Sequence, residues 1–193
     1  MRQISPASWL VRTLAIACVV AGGAQAQTIL DALRHGGCVI VMRHASSPRE
    51  VPAGQTERQL DDAGRAAATA MGKAFRDLKI PVGDVFTSPT ARALETVRLA
   101  QWTNPKPVPE LGDNGRSMQG GTAAQAAWLR KRVTEFPSGT NTIVVTHLPN
   151  LTGAFAGEAT GMEDGEAMIF VPDGKGGAKV LGRVKIEDWA KLK

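Results

Sequence analysis

The sequence predicts an α/β domain: a three-layer sandwich with a largely parallel central sheet, an antiparallel edge hairpin and helices on both faces. Three observations carry that reading. Short β-rich apolar runs at residues 38–43, 82–86 and 141–145 alternate with segments whose apolar residues recur at helical spacing, the pattern of parallel strands joined by crossover helices. The runs at 166–171 and 178–186 are separated only by Asp173-Gly174-Lys175-Gly176-Gly177, a composition suited to a hairpin turn. Two of the runs end in a histidine-bearing pair, Arg43-His44 and Thr146-His147, at the carboxyl ends of strands where open α/β sheets hold their ligands.

Residues 1–26 read as a secretory signal peptide. Arg2 and Arg12 precede an apolar core from Leu14 to about Ala21, and Ala24-Gln25-Ala26 supplies a small-x-small cleavage signal. The core is too short to span a bilayer. Cleavage after Ala26 would leave residues 27–193 as a single exported domain, periplasmic or secreted, with no stable membrane insertion. The chain of 193 residues carries 23 basic and 18 acidic residues, a formal charge of +5, and two of the arginines lie in the leader. That mild positive balance suits a small anionic substrate. With no Lys/Arg run and few aromatics, nucleic acid is not the expected partner. Of the two cysteines, Cys18 leaves with the leader and Cys38 sits in the first strand, so a buried thiol is expected rather than a disulfide.

The elements follow in order. Residues 28–33 read as a short helix stopped by Gly36-Gly37, and the strand over 38–43 comes next. Residues 45–59, with Ser46, Ser47, Pro48, Pro52 and Gly54, form a loop. Leu60, Ala63, Ala67, Met71, Ala74 and Phe75 lie on one helical stripe and predict a helix over 61–78. After the strand over 82–86, Ser88 is placed to cap a helix and Pro89 to open it; this helix should reach about Trp102. Residues 105–109 read as extended, 112–121 as a loop and 123–136 as a helix. The strand over 141–145 leads through His147 to a helix over 149–156. Trp128 and Trp189 are expected in the core.

The run Cys-Val-Ile-Val-Met-Arg-His-Ala at 38–45 carries most of the chemistry. An imidazole held beside a guanidinium suits attack on an anionic phosphorus centre: the cation gathers the phosphate and the neutral ring nitrogen is the nucleophile. Arg92 lies near the start of a predicted helix, where the macrodipole disfavours a cation unless an anion compensates. His147 ends its strand as His44 ends its own. His35 stands apart and no acids cluster with it, so no metal and no cofactor are expected.

These motifs resemble the histidine phosphatase superfamily, in the branch that is phosphoglycerate mutase-like. The anchors are Val41-Met42-Arg43-His44-Ala45, Leu60-Asp61-Asp62-Ala63-Gly64, Ser88-Pro89-Thr90-Ala91-Arg92-Ala93-Leu94-Glu95-Thr96, and Val144-Val145-Thr146-His147. The resemblance implies that His44 carries a transient phosphohistidine and that Arg43, Arg92 and His147 hold the phosphoryl oxygens. Such fixed cations match the charge that the transferring group spreads over its equatorial oxygens.

The chain departs from the family pattern in its proton donor. Aligning Leu111 puts Asp113 in the acid's place, with Glu110 close by as the alternative. Leu148-Pro149-Asn150 leaves no aspartate directly after the second histidine. Ala45 replaces the usual glycine, Ser47 could touch the phosphate, and Glu50 stands where an asparagine is common. The expected function is an exported phosphatase that hydrolyses phosphate monoesters through a phosphohistidine on His44; the alternative is a non-catalytic phosphate-binding module on the same fold.

Overall fold

The computed structural model describes residues 11–113 and 122–192. Six strands form one sheet: β1 Val39–Arg43, β2 Val82–Thr87, β3 Lys106–Pro107, β4 Asn141–Thr146, β5 Ala167–Pro172 and β6 Ala178–Val184. Their order is β3-β2-β4-β1-β5-β6. β1 and β2 each pair with β4 in parallel and β3 pairs with β2 in parallel, whereas β5 runs antiparallel to both β1 and β6. The expected largely parallel sheet with an antiparallel edge hairpin is the observed one. The hairpin turn is organised by Asp173, whose carboxylate accepts from the backbone N–H groups of Lys175 and Gly177.

Alternation along the central strands divides the core in two. Ile40 and Met42 of β1 face the same side as Ile143 and Val145 of β4, while Val39, Val41 and Val144 face the other. All seven are fully buried, as strands covered on both faces require. The first face is covered by helix α1 (Val11–His35), α2 (Asp62–Asp77), α3 (Ala91–Leu99) and a 3-10 helix at Ile186–Lys191. Phe75 packs there between Trp102 and Trp189, with ring centroids 5.2 and 4.5 Å apart. Each such aromatic pair is worth about 0.5–1.5 kcal/mol beyond its buried area. The second face is covered by α4 (Ala123–Arg132) and α5 (Leu148–Phe155), whose Leu129, Val133 and Leu151 meet Phe170.

Several boundaries differ from expectation for local reasons. α1 runs through Gly22-Gly23 instead of starting near Thr28, since a glycine inside a helix costs about 1 kcal/mol rather than breaking it. Within residues 23–35 of α1, large side chains are buried from Ile29 onward. α3 begins after Thr90 rather than at Pro89 and ends at Leu99, because Gln101 turns the chain at φ 60° before Trp102. α4 ends at Arg132, short of Phe136, which precedes a proline and stands 60% exposed against Gly37. Most of the expected 112–121 loop lies outside the described residues. Trp189 is fully buried as expected, whereas Trp128 is only partly so and packs edge-on against Phe86. Among the described residues no helix is long and apolar enough to cross a membrane.

The start of α2 is fastened to the segment that follows β1. Asp61 caps α2 by accepting from Gly64 N–H at 2.7 Å, and its other carboxylate oxygen accepts from the Ser46 hydroxyl at 2.7 Å. Gly64 itself lies against the Ser46 carbonyl so closely that a β-carbon there would collide with backbone. Gly64→Ala is therefore expected to destabilise the fold by about 1–3 kcal/mol in urea unfolding followed by tryptophan fluorescence; an unchanged midpoint would contradict the close approach.

Candidate active site

The parallel register brings the ends of β1, β2 and β4 to one point. Beyond the last strand residues, His44 N–H donates to the Thr146 carbonyl at 3.0 Å and Ser88 N–H to the Val145 carbonyl at 2.9 Å. His44, His147 and Ser88 thus emerge side by side from three strands. The two imidazole centroids are 5.1 Å apart, and both rings are almost wholly buried.

The partners of each ring fix its tautomer. His44 Nδ1 lies 2.7 Å from the Ala45 carbonyl, which can only accept, so Nδ1 carries the proton. Nε2 then presents its lone pair, and Arg92 Nε donates to it at 3.1 Å. His147 Nδ1 faces the terminal nitrogen Nη2 of Arg92 at 3.2 Å, so that ring accepts at Nδ1 and donates from Nε2 to Ser88 Oγ at 2.8 Å. Ser88, expected as a helix cap, instead accepts from His147 and from Thr90 N–H, and its hydroxyl meets Thr90 Oγ1 at 3.1 Å.

Arg92 is the shared element. Its side chain is 3% exposed, and the same Nη2 that faces His147 also pairs with the carboxylate of Asp113. Burial pulls the guanidinium below its ordinary range while Asp113 pulls it back. Arg92 is also tied to the loop that follows His44: Ala45 N–H donates to Thr96 Oγ1, and that hydroxyl donates to the Arg92 carbonyl at 2.8 Å. Both imidazoles are held neutral. Burial lowers His44 well below 6.5, aided by His147, Arg92 and Arg43, against the opposing pull of the Ala45 carbonyl. Burial, then Arg92, Arg58 and Arg43, lowers His147 to about 3.

The remaining residues singled out in the sequence fall at different distances from this centre. Asp113 is buried against Arg92. Glu110 sits on the 3-10 turn Pro109–Leu111, and among the described residues its carboxylate makes no hydrogen bond or ion pair with the site. Arg43 is paired through Nη2 with Asp164 Oδ1 at 2.7 Å, and its Nε is buried with no hydrogen-bond partner among the described residues. Ser47 is partly buried on the loop after β1, where it is Ser46 that is engaged, through Asp61. No group of three His, Cys, Asp or Glu among the described residues is arranged to hold a metal ion.

Four participants were not anticipated. Arg58 reaches within 3.8 Å of Asp113 and lines, with Arg49, Val51, Thr56, Glu57, Thr90, Arg92 and Asp113, an open cavity of about 420 Å³ that reaches the site through Arg92 and Asp113. Asp164 holds Arg43. Asn150, read only as a missing aspartate, is 1% exposed behind Asp113. Glu57 closes one side of the cavity by accepting from Ala91 N–H at the start of α3.

Residues 39–127 match the model of the histidine phosphatase superfamily (branch 1). The fold is similar to that of the protein histidine phosphatase SixA complexed with tungstate, at 20% identity and TM-score 0.61, over 78% of this chain and 98% of that one. It is similar to a mutant phosphoserine phosphatase from Entamoeba histolytica in complex with phosphoserine, at 12% identity and TM-score 0.53, over 78% and 98%. A mycobacterial glucosyl-3-phosphoglycerate phosphatase aligns at 14% identity and TM-score 0.52, over 75% and 96%. At these identities the likeness is one of fold. No curated protein matches the sequence. The expected α/β fold and the resemblance to the histidine phosphatase superfamily both hold.

The depressed His147 sets a pH window for stability. The unfolded chain binds a proton near pH 6.5 that the folded ring refuses until about pH 3, so stability is full above the first value and is lost as pH falls through the interval. Urea unfolding between pH 7 and 4 should show this decline, and His147→Asn should flatten it; parallel curves for the two proteins would refute the assignment.

Proposed function

We propose that this chain, which has the histidine phosphatase fold and signature, is a phosphoric monoester hydrolase that works through a phosphohistidine on His44 Nε2. The observation that carries the reading is the pairing of a neutral, tautomer-fixed imidazole lone pair with the buried Arg92 donors that point at it. A phosphoryl group entering from the cavity would take the Arg92 Nε–H from His44 onto one of its own oxygens. That exchange frees the lone pair at the moment the phosphorus comes within reach. Arg43, whose buried Nε has no partner among the described residues, and Arg92 supply fixed donors to the equatorial oxygens, with His147 beside them.

The bond from phosphorus to the leaving oxygen breaks as the bond to Nε2 forms, and the leaving oxygen needs a proton. Asp113 is the favoured donor, because its carboxyl group stands at the Arg92 face of the cavity where Glu110 makes no contact. Once the phosphoryl charge engages Arg92, the Asp113 carboxylate is released from its ion pair, takes up the proton that the monoanionic ester brings, and passes it to the leaving oxygen. Water then attacks the phosphohistidine, and Asp113 takes a proton from it. The phosphorylated ligands or substrates named for the structural neighbours support a small phosphorylated substrate here. Ser47 is a further candidate contact at the loop edge.

Export is part of the proposal. Residues 1–26 carry the charge, apolar core and Ala-x-Ala pattern of a leader, and of residues 23–28 only Ala26 is more than peripheral to the core. Cleavage after Ala26 would therefore spare Ile29, Leu30 and Leu33, which anchor α1. Amino-terminal sequencing of the protein recovered from outside the cytoplasm should begin at Gln27; recovery of an intact amino terminus inside the cell would refute export.

Two measurements test the enzyme reading. The purified protein should turn over p-nitrophenyl phosphate, and acid-stopped reactions with a radiolabelled ester should trap an acid-labile phosphoprotein that His44→Ala abolishes. Arg92→Ala should cost roughly 10²–10³-fold in kcat. Phosphate binding with no turnover of any ester would instead make the chain a binding module.

A further inference from the structure

We infer that Asn150 is a positioning residue for the proton donor, holding Asp113 to the cavity from the same turn that carries His147. The inference rests on the reading of Asp113 as the acid. Asn150 lies in the first turn of α5, directly after His147, and its side chain is buried under the segment that delivers Asp113. Its Nδ2 group donates to the carbonyls of Leu111 at 3.1 Å and Gly112 at 2.9 Å, the two residues immediately before Asp113. Nδ2 also meets Thr146 Oγ1 at 3.0 Å, and that hydroxyl donates onward to the Leu111 carbonyl at 2.8 Å. From the far side Gln125 of α4 donates to the Gly112 carbonyl at 2.6 Å.

The chemistry of the amide shows what the site selects. Nδ2 offers two hydrogens and is surrounded by acceptors, while Asn150 Oδ1 is buried with no hydrogen-bond partner among the described residues. A residue kept for packing would not carry that unsatisfied oxygen, whose desolvation costs on the order of 1–3 kcal/mol. The donors are what the position needs, and their target is the backbone leading to Asp113. An aspartate of the same shape would present only acceptors to two carbonyls and push the segment away. Since the end of β4 supplies both Thr146 and His147, the carboxyl group and the second histidine are referenced to one rigid point.

The test compares turnover of p-nitrophenyl phosphate, whose leaving group needs no proton, with turnover of an alkyl phosphate, whose leaving group does. In the purified protein, Asp113→Asn should lower kcat on the alkyl ester at least about tenfold more than on the aryl ester. Asn150→Leu and Asn150→Asp should skew the same ratio in the same direction, and adding Asn150→Leu to Asp113→Asn should skew it no further. If Asp113→Asn skews the ratio but the Asn150 variants depress both esters equally, the positioning role is overturned and the acid stands. If Asp113→Asn leaves the ratio unchanged, the acid reading falls and this inference with it. Should the Asn150 variants fail to fold by circular dichroism, Gln125→Leu removes the opposite donor to the same carbonyl, and the same two outcomes on the ratio decide.

Discussion

The buried guanidinium of Arg92 is the constraint around which the rest of the site is arranged. A cation taken out of water needs acceptors on every lobe, and here they are Asp113 and the lone pairs of two imidazoles. Because the cation demands lone pairs, both histidines must stay neutral and each must keep its proton on the other nitrogen. Ala45 on one side and Ser88 on the other then take those protons. A single charge in a dry setting thereby decides two tautomers, the state of the His44 ring and the resting place of the Asp113 carboxyl group.

Such an arrangement survives only on a frame that cannot drift. The parallel pairing of β1 with β4 and of β4 with β2 fixes where three successive strand ends stop, and His44, Ser88 and His147 inherit those positions from the ladder itself. Thr96 joins the loop behind His44 to the helix bearing Arg92, and Asp61 joins that loop to α2. The cavity beside Arg92 is lined by Arg49, Val51 and Thr56 of the long loop that follows β1.

How much of this was legible in the sequence depends on the range of the signal. His44 and His147 were readable because a buried strand ending in a polar pair is a local pattern, and Arg92 because Ser-Pro-x-x-Arg is local as well. The largely parallel sheet and its antiparallel edge hairpin followed from the alternation of elements and the Gly-rich turn, whereas the strand order did not. Arg58 was invisible because an arginine in a Pro- and Gly-containing loop has no periodicity to mark its direction. Which of Glu110 and Asp113 lies against Arg92 could not be read from the sequence, because the 3-10 turn at Pro109–Leu111 that separates them has no strong signature. Asp164 and Asn150 matter only through partners remote in the chain, Arg43 and the Leu111 carbonyl. The extent of α1 was misjudged because two glycines weaken a helix without stopping it.

The borders of the sheet bear on a different property, colloidal behaviour. β3 is two residues long and finishes in Pro107, which has no N–H to offer. β6 departs from regular register near Gly182 and carries Lys179 and Arg183 along its length. Neither border presents a long flat row of free amides and carbonyls to a passing strand, so sheet-to-sheet growth between molecules has no template from which to start.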